Sequence, residues 1–354
     1  NVDKVWWNHI TKAHKFFEDI VETAVKGSSM LLSLPASVPW KETLIEMIGE
    51  RLQLENPKNA FQEISCPKEE PGEYLLTNYC KKEIRLKYRY GMSYAQFLGA
   101  CQETVLNDRY IWISDVSKEK CEEWLEFIEE YNKNVVNKTP AIFILEINEE
   151  GMERKAKKGI KTIAFNQNIG DYDKYAFCAL AASETNCKEY LRPYLAELVS
   201  ILCSEDVELC AECVEKGIEF LKNPYQTIES IIETDVRSNG EEYQFDKTEK
   251  EMESLIWEVQ LKTVFPLIEK YRKRMISSYR GIITRELPIR NGYGQSINEP
   301  EEVEIGVLYY LIGKSSLKIS EKEYMELENY RNARNCLAHM KILELGTIEQ
   351  ILKK

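Results

Sequence analysis

Gly27-Ser-Ser-Met-Leu-Leu-Ser-Leu-Pro35-Ala-Ser-Val-Pro39-Trp40-Lys41-Glu42-Thr43 decides how the first half of this chain folds. Met30 to Leu34 is an apolar run of strand length. Pro35 and Pro39 lie in a tight loop, because proline removes a backbone donor and interrupts regular structure. Beyond Thr43, Leu44, Ile45, Met47, Ile48 and Leu52 recur at helical spacing. The stretch therefore reads as a buried strand, a tight loop and a helix.

The same alternation continues outward. Ala60–Cys66 predicts a second strand, residues 67–73 a polar loop, and Leu75–Leu86 and Ser93–Leu106 two helices. Arg109–Asp115 predicts a third strand, Cys121–Asn132 a helix, and Ala141–Ile147 and Lys161–Phe165 two further strands. Strands alternating with helices predict an α/β domain whose parallel sheet is covered on both faces. An aromatic-rich amphipathic helix over residues 1–25 precedes it, and its His9 and His14 read as surface or packing residues.

Set against the phosphate-binding pattern G-x(4)-G-K-[ST], Pro35 stands at the first glycine, Trp40 at the second and Glu42 at the Ser/Thr. Lys41 fits, and Thr43 comes one place late. Phosphate loops hold anions with backbone amides and a helix N-terminus. Here proline deletes an amide, tryptophan crowds the approach and glutamate repels the phosphate. The segment resembles a P-loop NTPase domain, AAA+ or STAND-like, that is degenerate and has lost its nucleotide site. Arg109-Tyr-Ile-Trp-Ile-Ser-Asp115 is similar to a Walker B strand. The resemblance implies Lys41 as the one residue left for a nucleotide, and no bound cofactor. Asp115 and Glu146 would hold Mg²⁺ through water in a live NTPase, or serve the fold alone.

The chain has 354 residues, enough for two or three domains, with 44% hydrophobic and 30% charged residues. Its net charge of −12 argues against gripping nucleic acid over the whole surface, so any RNA contact is expected to be local. No apolar run reaches the roughly 20 residues that cross a bilayer. No signal peptide is visible, and the ten cysteines read as reduced thiols in a cytoplasm. Cys210-x-x-Cys213, with Cys203 and Cys187 upstream, has zinc-ligand spacing. It lies inside a helical pattern with no second tight pair, so core thiols are expected and no metal.

Residues 171–232 are largely helical and resemble the all-α lid that follows AAA+ or STAND cores; a plain helical linker would read the same way. The polar run 236–247, with Ser-Asn-Gly, is the strongest boundary. The expected domains are therefore 1–170, 171–240 and 241–354.

The last domain carries Tyr324-Met-Glu-Leu-Glu-Asn-Tyr-Arg-Asn-Ala-Arg334-Asn335-Cys-Leu-Ala-His339. Ser320 and Glu323 form a capping box at the start of that helix. Arg334 and His339 are five residues apart, so an arginine fork and an imidazole can converge on one phosphate. Arg334-Asn335-x-x-x-His339 resembles the R-x(4–6)-H signature of HEPN ribonucleases, in a helical bundle covering about residues 245–354. Upstream, Arg272, Lys273, Arg274 and Arg280 are interleaved with Tyr271 and Tyr279. They read either as a solvated helix face or as a local groove for an RNA backbone. Leu287–Ser296 is a turn-rich loop that lines the site or simply connects helices.

The resemblance implies metal-independent RNA cleavage. The ribose 2′-hydroxyl attacks the adjacent phosphate and leaves a 2′,3′-cyclic phosphate. His339 is the implied general base or acid, Arg334 stabilises the phosphate charge, and Asn335 positions His339 or the phosphate. One histidine does not readily serve both proton transfers, so a homodimer through the C-terminal domain is expected. A prokaryotic toxin or antiphage immunity effector is the implied biology, with the N-terminal domain as sensor or protein-partner module. Two other classes stay open: a non-catalytic HEPN adaptor, and a live NTPase switch.

Overall fold

The computed structural model describes residues 1–89, 91–103, 106–148, 159–165, 169–290, 292 and 294–353. The chain divides into two compact units. The first comprises Asn1–Asp173 and Ser238–Glu241, the second Lys174–Arg237 and Glu242–Lys354.

In the first unit the elements follow as α1 (Val2–His9), α2 (Thr11–Val25), β1 (Ser29–Leu34), α3 (Lys41–Glu55) and β2 (Ala60–Ser65). Then come α4 (Pro71–Tyr79), α5 (Lys82–Arg85), α6 (Tyr94–Ala100), β3 (Arg109–Val116), α7 (Lys118–Asn134), β4 (Ile142–Asn148) and β5 (Ile160–Ala164). The five strands form one parallel sheet in the order β2-β3-β4-β1-β5. Every residue of β1 is buried, as a central strand covered on both faces requires. One face packs Ile111, Ile113, Phe143 and Leu145 against α7's Trp124 and Ile128. On the other side, a Cβ at Gly49 of α3 would come 2.7 Å from the Phe61 ring, so α3 approaches β2 closely only because that position is glycine. The unit is an α/β domain in which β1 runs through a tight loop into α3.

Local geometry refines the expected helices. The N-terminal helix is two, because Ile10 adopts an extended backbone between them. The helix expected over Leu75–Leu86 breaks at Cys80, which is also extended. Of the helix expected over Ser93–Leu106, Tyr94–Ala100 is helical, and Thr104 and Val105 lie outside the described residues.

The second unit is mostly helical: α8 (Asp171–Ser183), whose first three residues belong to the first unit, α9 (Arg192–Leu202), α10 (Val207–Lys216), α11 (Ile218–Lys222), α12 (Pro224–Thr234), α13 (Glu249–Ser278), α14 (Arg280–Glu286), α15 (Ile305–Gly313), α16 (Glu321–Ala338) and α17 (Leu345–Leu352). Helices expected as a lid and helices expected as a bundle cluster together here. The long helix expected over Thr248–Arg285 is interrupted at Tyr279, the residue that separates α13 from α14. The turn-rich loop forms a small antiparallel pair, Ile289–Arg290 with Ser296–Ile297; its Asn291 and Tyr293 lie outside the described residues.

Cys203, Cys210 and Cys213 are fully buried, with Cys203 Sγ 3.7 Å from Cys213 Sγ and Cys210 Sγ donating to the Cys203 carbonyl. They fill core space as thiols, and among the described residues no His, Cys, Asp or Glu group is arranged to hold a metal. No helix among the described residues is long and apolar enough to cross a membrane.

Candidate functional site

The C-terminal motif sits where α16 ends. Ser320 caps the helix start and Glu323 returns the bond to the Ser320 backbone, the full capping box. Hydrogen bonds from Ser320 and from Tyr279 hold the Glu323 carboxyl below its ordinary range. At the far end His339 is the capping residue, and its N–H donates to the carbonyls of Asn335 and Cys336. Met340 N–H bonds the Leu337 carbonyl and Lys341 N–H the Cys336 carbonyl, the paired bonds of a Schellman termination. Met340 takes the left-handed backbone, φ 55°, that this turn usually gives to glycine.

Two buried-side anchors hold this end. Trp257 Nε1 on α13 donates to the Leu337 carbonyl at 2.9 Å. Gln260, one turn further along α13, is 1% exposed and grips Leu343 through both its N–H and its carbonyl. His339 therefore lies on an exposed turn whose two flanks are bonded to one helix. Asn335, half-buried, is one turn before it on the same face. Arg334 is half-buried and meets Glu304 at 3.2 Å, just before α15.

The upstream basic residues are engaged as follows. Tyr271 stacks on Tyr330, Arg274 pairs with Glu326 at 2.7 Å, and Tyr279 donates to Glu323. With Trp257 against Leu337, these contacts make α13 and α16 antiparallel. Arg274 thus sits at the beginning of α16, about 20 Å of helix axis from His339. At that separation solvent and salt screen an exposed charge. Arg280 pairs with Glu301, and Arg272 binds Glu269 and the carbonyls of Glu301 and Val303. Lys273 is exposed. The fold brings Arg334, Asn335 and His339 to one helix end, and does not bring Arg274 to them.

In the first unit a cleft of about 330 Å³ opens at the C-terminal ends of β1, β3 and β4, where open parallel sheets bind ligands. Lys41 starts α3, preceded by Trp40 at φ 44°. Trp40 thus takes a left-handed backbone that side chains rarely adopt. Lys41 Nζ lies 2.7 Å from Glu146 Oε1, and Trp112 Nε1 donates to Glu146 Oε2 at 2.9 Å. Thr43 Oγ1 donates to Asp3 at 2.7 Å. Burial, and then the charge of Glu146, push the neighbouring Glu63 carboxyl above its ordinary range, while Lys41 pulls the other way. Asp115 ends near the cleft in a left-handed backbone, φ 56°.

A nucleoside triphosphate does not fit these residues. The lysine that would meet its phosphates holds a buried carboxylate, and the Thr43 hydroxyl at the helix start donates to the half-buried carboxylate of Asp3. Glu42 adds charge of the wrong sign. Sequence reasoning found Lys41 and Glu146 separately but not their pairing, which joins residues on α3 and β4. Gln260 and Trp257 as anchors of the histidine turn were likewise missed.

No family model matches this chain, and no curated protein matches it. Among solved structures it is similar to a RuvB mutant of Thermotoga maritima, with 12% identity over 70% of this chain and 74% of that one, at a TM-score of 0.37.

Proposed function

We propose that this protein is a metal-independent endoribonuclease of the HEPN kind, acting as a homodimer through its second unit. The observation that carries the reading is the end of α16. His339 is exposed on a turn with a strained Met340 backbone, fixed on both flanks by α13, with Asn335 and Arg334 within a turn and a half. Strain held in place by surrounding bonds is a recurrent property of functional sites. An adaptor in which His339 served packing alone would be expected to bury it.

In this reading His339 accepts the proton of the ribose 2′-hydroxyl as that oxygen attacks phosphorus. The bond to the 5′-oxygen then breaks, and His339 of the second protomer gives that oxygen its proton. The products are a 2′,3′-cyclic phosphate and a 5′-hydroxyl. Arg334 stabilises the charge that builds on the non-bridging oxygens; to do so it exchanges Glu304 for phosphate. The first unit serves as a sensor or partner-binding module, with no step through a nucleotide. A prokaryotic toxin or antiphage effector fits this pairing of units. Cleavage assays in EDTA with Arg334 and His339 variants test it.

A non-catalytic adaptor is the second reading. It is favoured by the carboxylates already bound to Arg272, Arg274, Arg280 and Arg334. Loss of dimerisation without any RNA phenotype on mutating α16 would support it.

A further inference from the structure

Arg331 lies one turn before Asn335 and two before His339, so the three side chains share one stripe of α16. Its guanidinium carbon sits 4.4 Å from the centre of the Tyr309 ring on α15. Tyr309 is itself fixed, its hydroxyl 2.7 Å from that of Tyr324 on α16. The contrast with the other arginines is chemical. Arg272, Arg274, Arg280 and Arg334 each meet a carboxylate. Among the described residues, Arg331 meets the tyrosine face and no carboxylate or carbonyl.

A guanidinium stacked on a ring loses little of its hydrogen-bonding capacity, because its N–H groups point outward in the plane of the fork. The stack instead removes rotamer freedom, so less is lost when a phosphate binds. Arg331 is also half-exposed and about 12 Å of helix axis from His339. A backbone crossing Arg334 and His339 and continuing along the α15–α16 seam meets Arg331 next.

We propose that Arg331, held on Tyr309, binds a phosphate of single-stranded RNA adjoining the one at Arg334 and His339. The inference rests on the ribonuclease reading for the identity of that site. It assigns the positive contact that an acidic protein needs near its motif, and places it on α15–α16 rather than on the Arg272–Arg280 stretch. Arg331 is a binding residue, with no part in proton transfer.

The test is fluorescence anisotropy of a labelled 2′-O-methyl single-stranded RNA, which cannot be cleaved, with the full chain. Arg331→Ala is expected to weaken binding roughly tenfold, the size of one charge-assisted contact. It is also expected to flatten the plot of log affinity against log salt by about 0.7, one phosphate of a single strand. Arg331→Lys keeps the charge but not the planar stack, and falls between. Tyr309→Phe keeps the stack and binds close to wild type, whereas Tyr309→Ala weakens binding. Thermal melts check that each variant is folded. Unchanged affinity and salt slope in folded Arg331→Ala, or no binding by wild type, overturns the proposal. The ribonuclease reading is judged separately: if Arg331→Ala loses binding while His339→Ala cleaves as wild type does, the RNA surface stands and the reaction assignment falls. If cleavage depends on His339 but Arg331→Ala binds normally, the reverse holds.

Discussion

Lys41 Nζ and Glu146 Oε1 are 2.7 Å apart, so the lysine that begins α3 is paired with a carboxylate of its own chain. Glu146 is buried, 7% exposed, and takes its second bond from Trp112. The pair stitches the start of α3 to β4. Lys41→Met leaves Glu146 with one partner and is expected to destabilise the protein by about 2 kcal/mol. That is below the range for fully buried pairs because the lysine is partly exposed. ATP or GTP with Mg²⁺ is expected to leave the wild-type melting temperature unchanged. A nucleotide-dependent rise that vanishes in Lys41→Met would instead support the NTPase switch.

Glu63 on β2 gives a pH signature of the charge on Glu146. Burial and the charge of Glu146 raise its carboxyl from the ordinary value of 4.5, so the folded state favours the protonated form. Below 4.5 both folded and unfolded chains hold the proton and the group contributes no penalty. As pH rises through the raised folded value the unfolded chain releases its proton more readily, and stability falls. Glu63→Gln is therefore expected to be more stable than wild type at pH 7, with the gap closing near pH 4. Denaturant titrations at the two pH values read this; a constant gap would mean that the charge of Glu63 does not matter.

The anchors of the histidine turn predict a kinetic split. Trp257→Phe removes the N–H that holds the Leu337 carbonyl but keeps most of the ring. Gln260→Leu frees both backbone groups of Leu343. Displacing His339 by a fraction of a turn should lower kcat by about tenfold to a hundredfold, with KM changed little. A rise in KM alone would place these residues in RNA binding.

Met340 predicts a stabilising change. Its left-handed backbone costs an L-residue about 1–2 kcal/mol, part of which glycine gives back as unfolded-state entropy. Met340→Gly is expected to raise stability by about 0.5 kcal/mol, measured as a denaturant midpoint. A loss of stability would show that the exposed Met340 side chain makes contacts that outweigh the strain.

The sheet was legible because central parallel strands are continuous apolar runs: β1, β3 and β4 announce themselves, and Pro35 and Pro39 mark the loop before α3. The capping box at Ser320 was legible because its partners are three residues apart. The breaks at Ile10, Cys80 and Tyr279 were not, since none is proline or glycine and tertiary packing sets their backbone. The Lys41–Glu146 pair was not, because 105 residues separate its members. Arg331 did leave a trace, spacings of four and eight residues before Asn335 and His339. Arg274 also sits over a tyrosine but pairs with Glu326, whereas Arg331 has the Tyr309 ring without a carboxylate, a contact that needs α15 packed on α16. The ion pairs of Arg274 with Glu326 and of Arg280 with Glu301 were not legible either, because those glutamates are remote in sequence.

Cleavage of mixed RNA, tRNA included, in EDTA tests the central assignment most directly, with wild type beside folded His339→Ala and Arg334→Ala. The expected result is cleavage by wild type, with 2′,3′-cyclic phosphate ends, and at least about a hundredfold loss in each variant. Cleavage that persists unchanged in both variants, or no cleavage by wild type on any substrate, would contradict it.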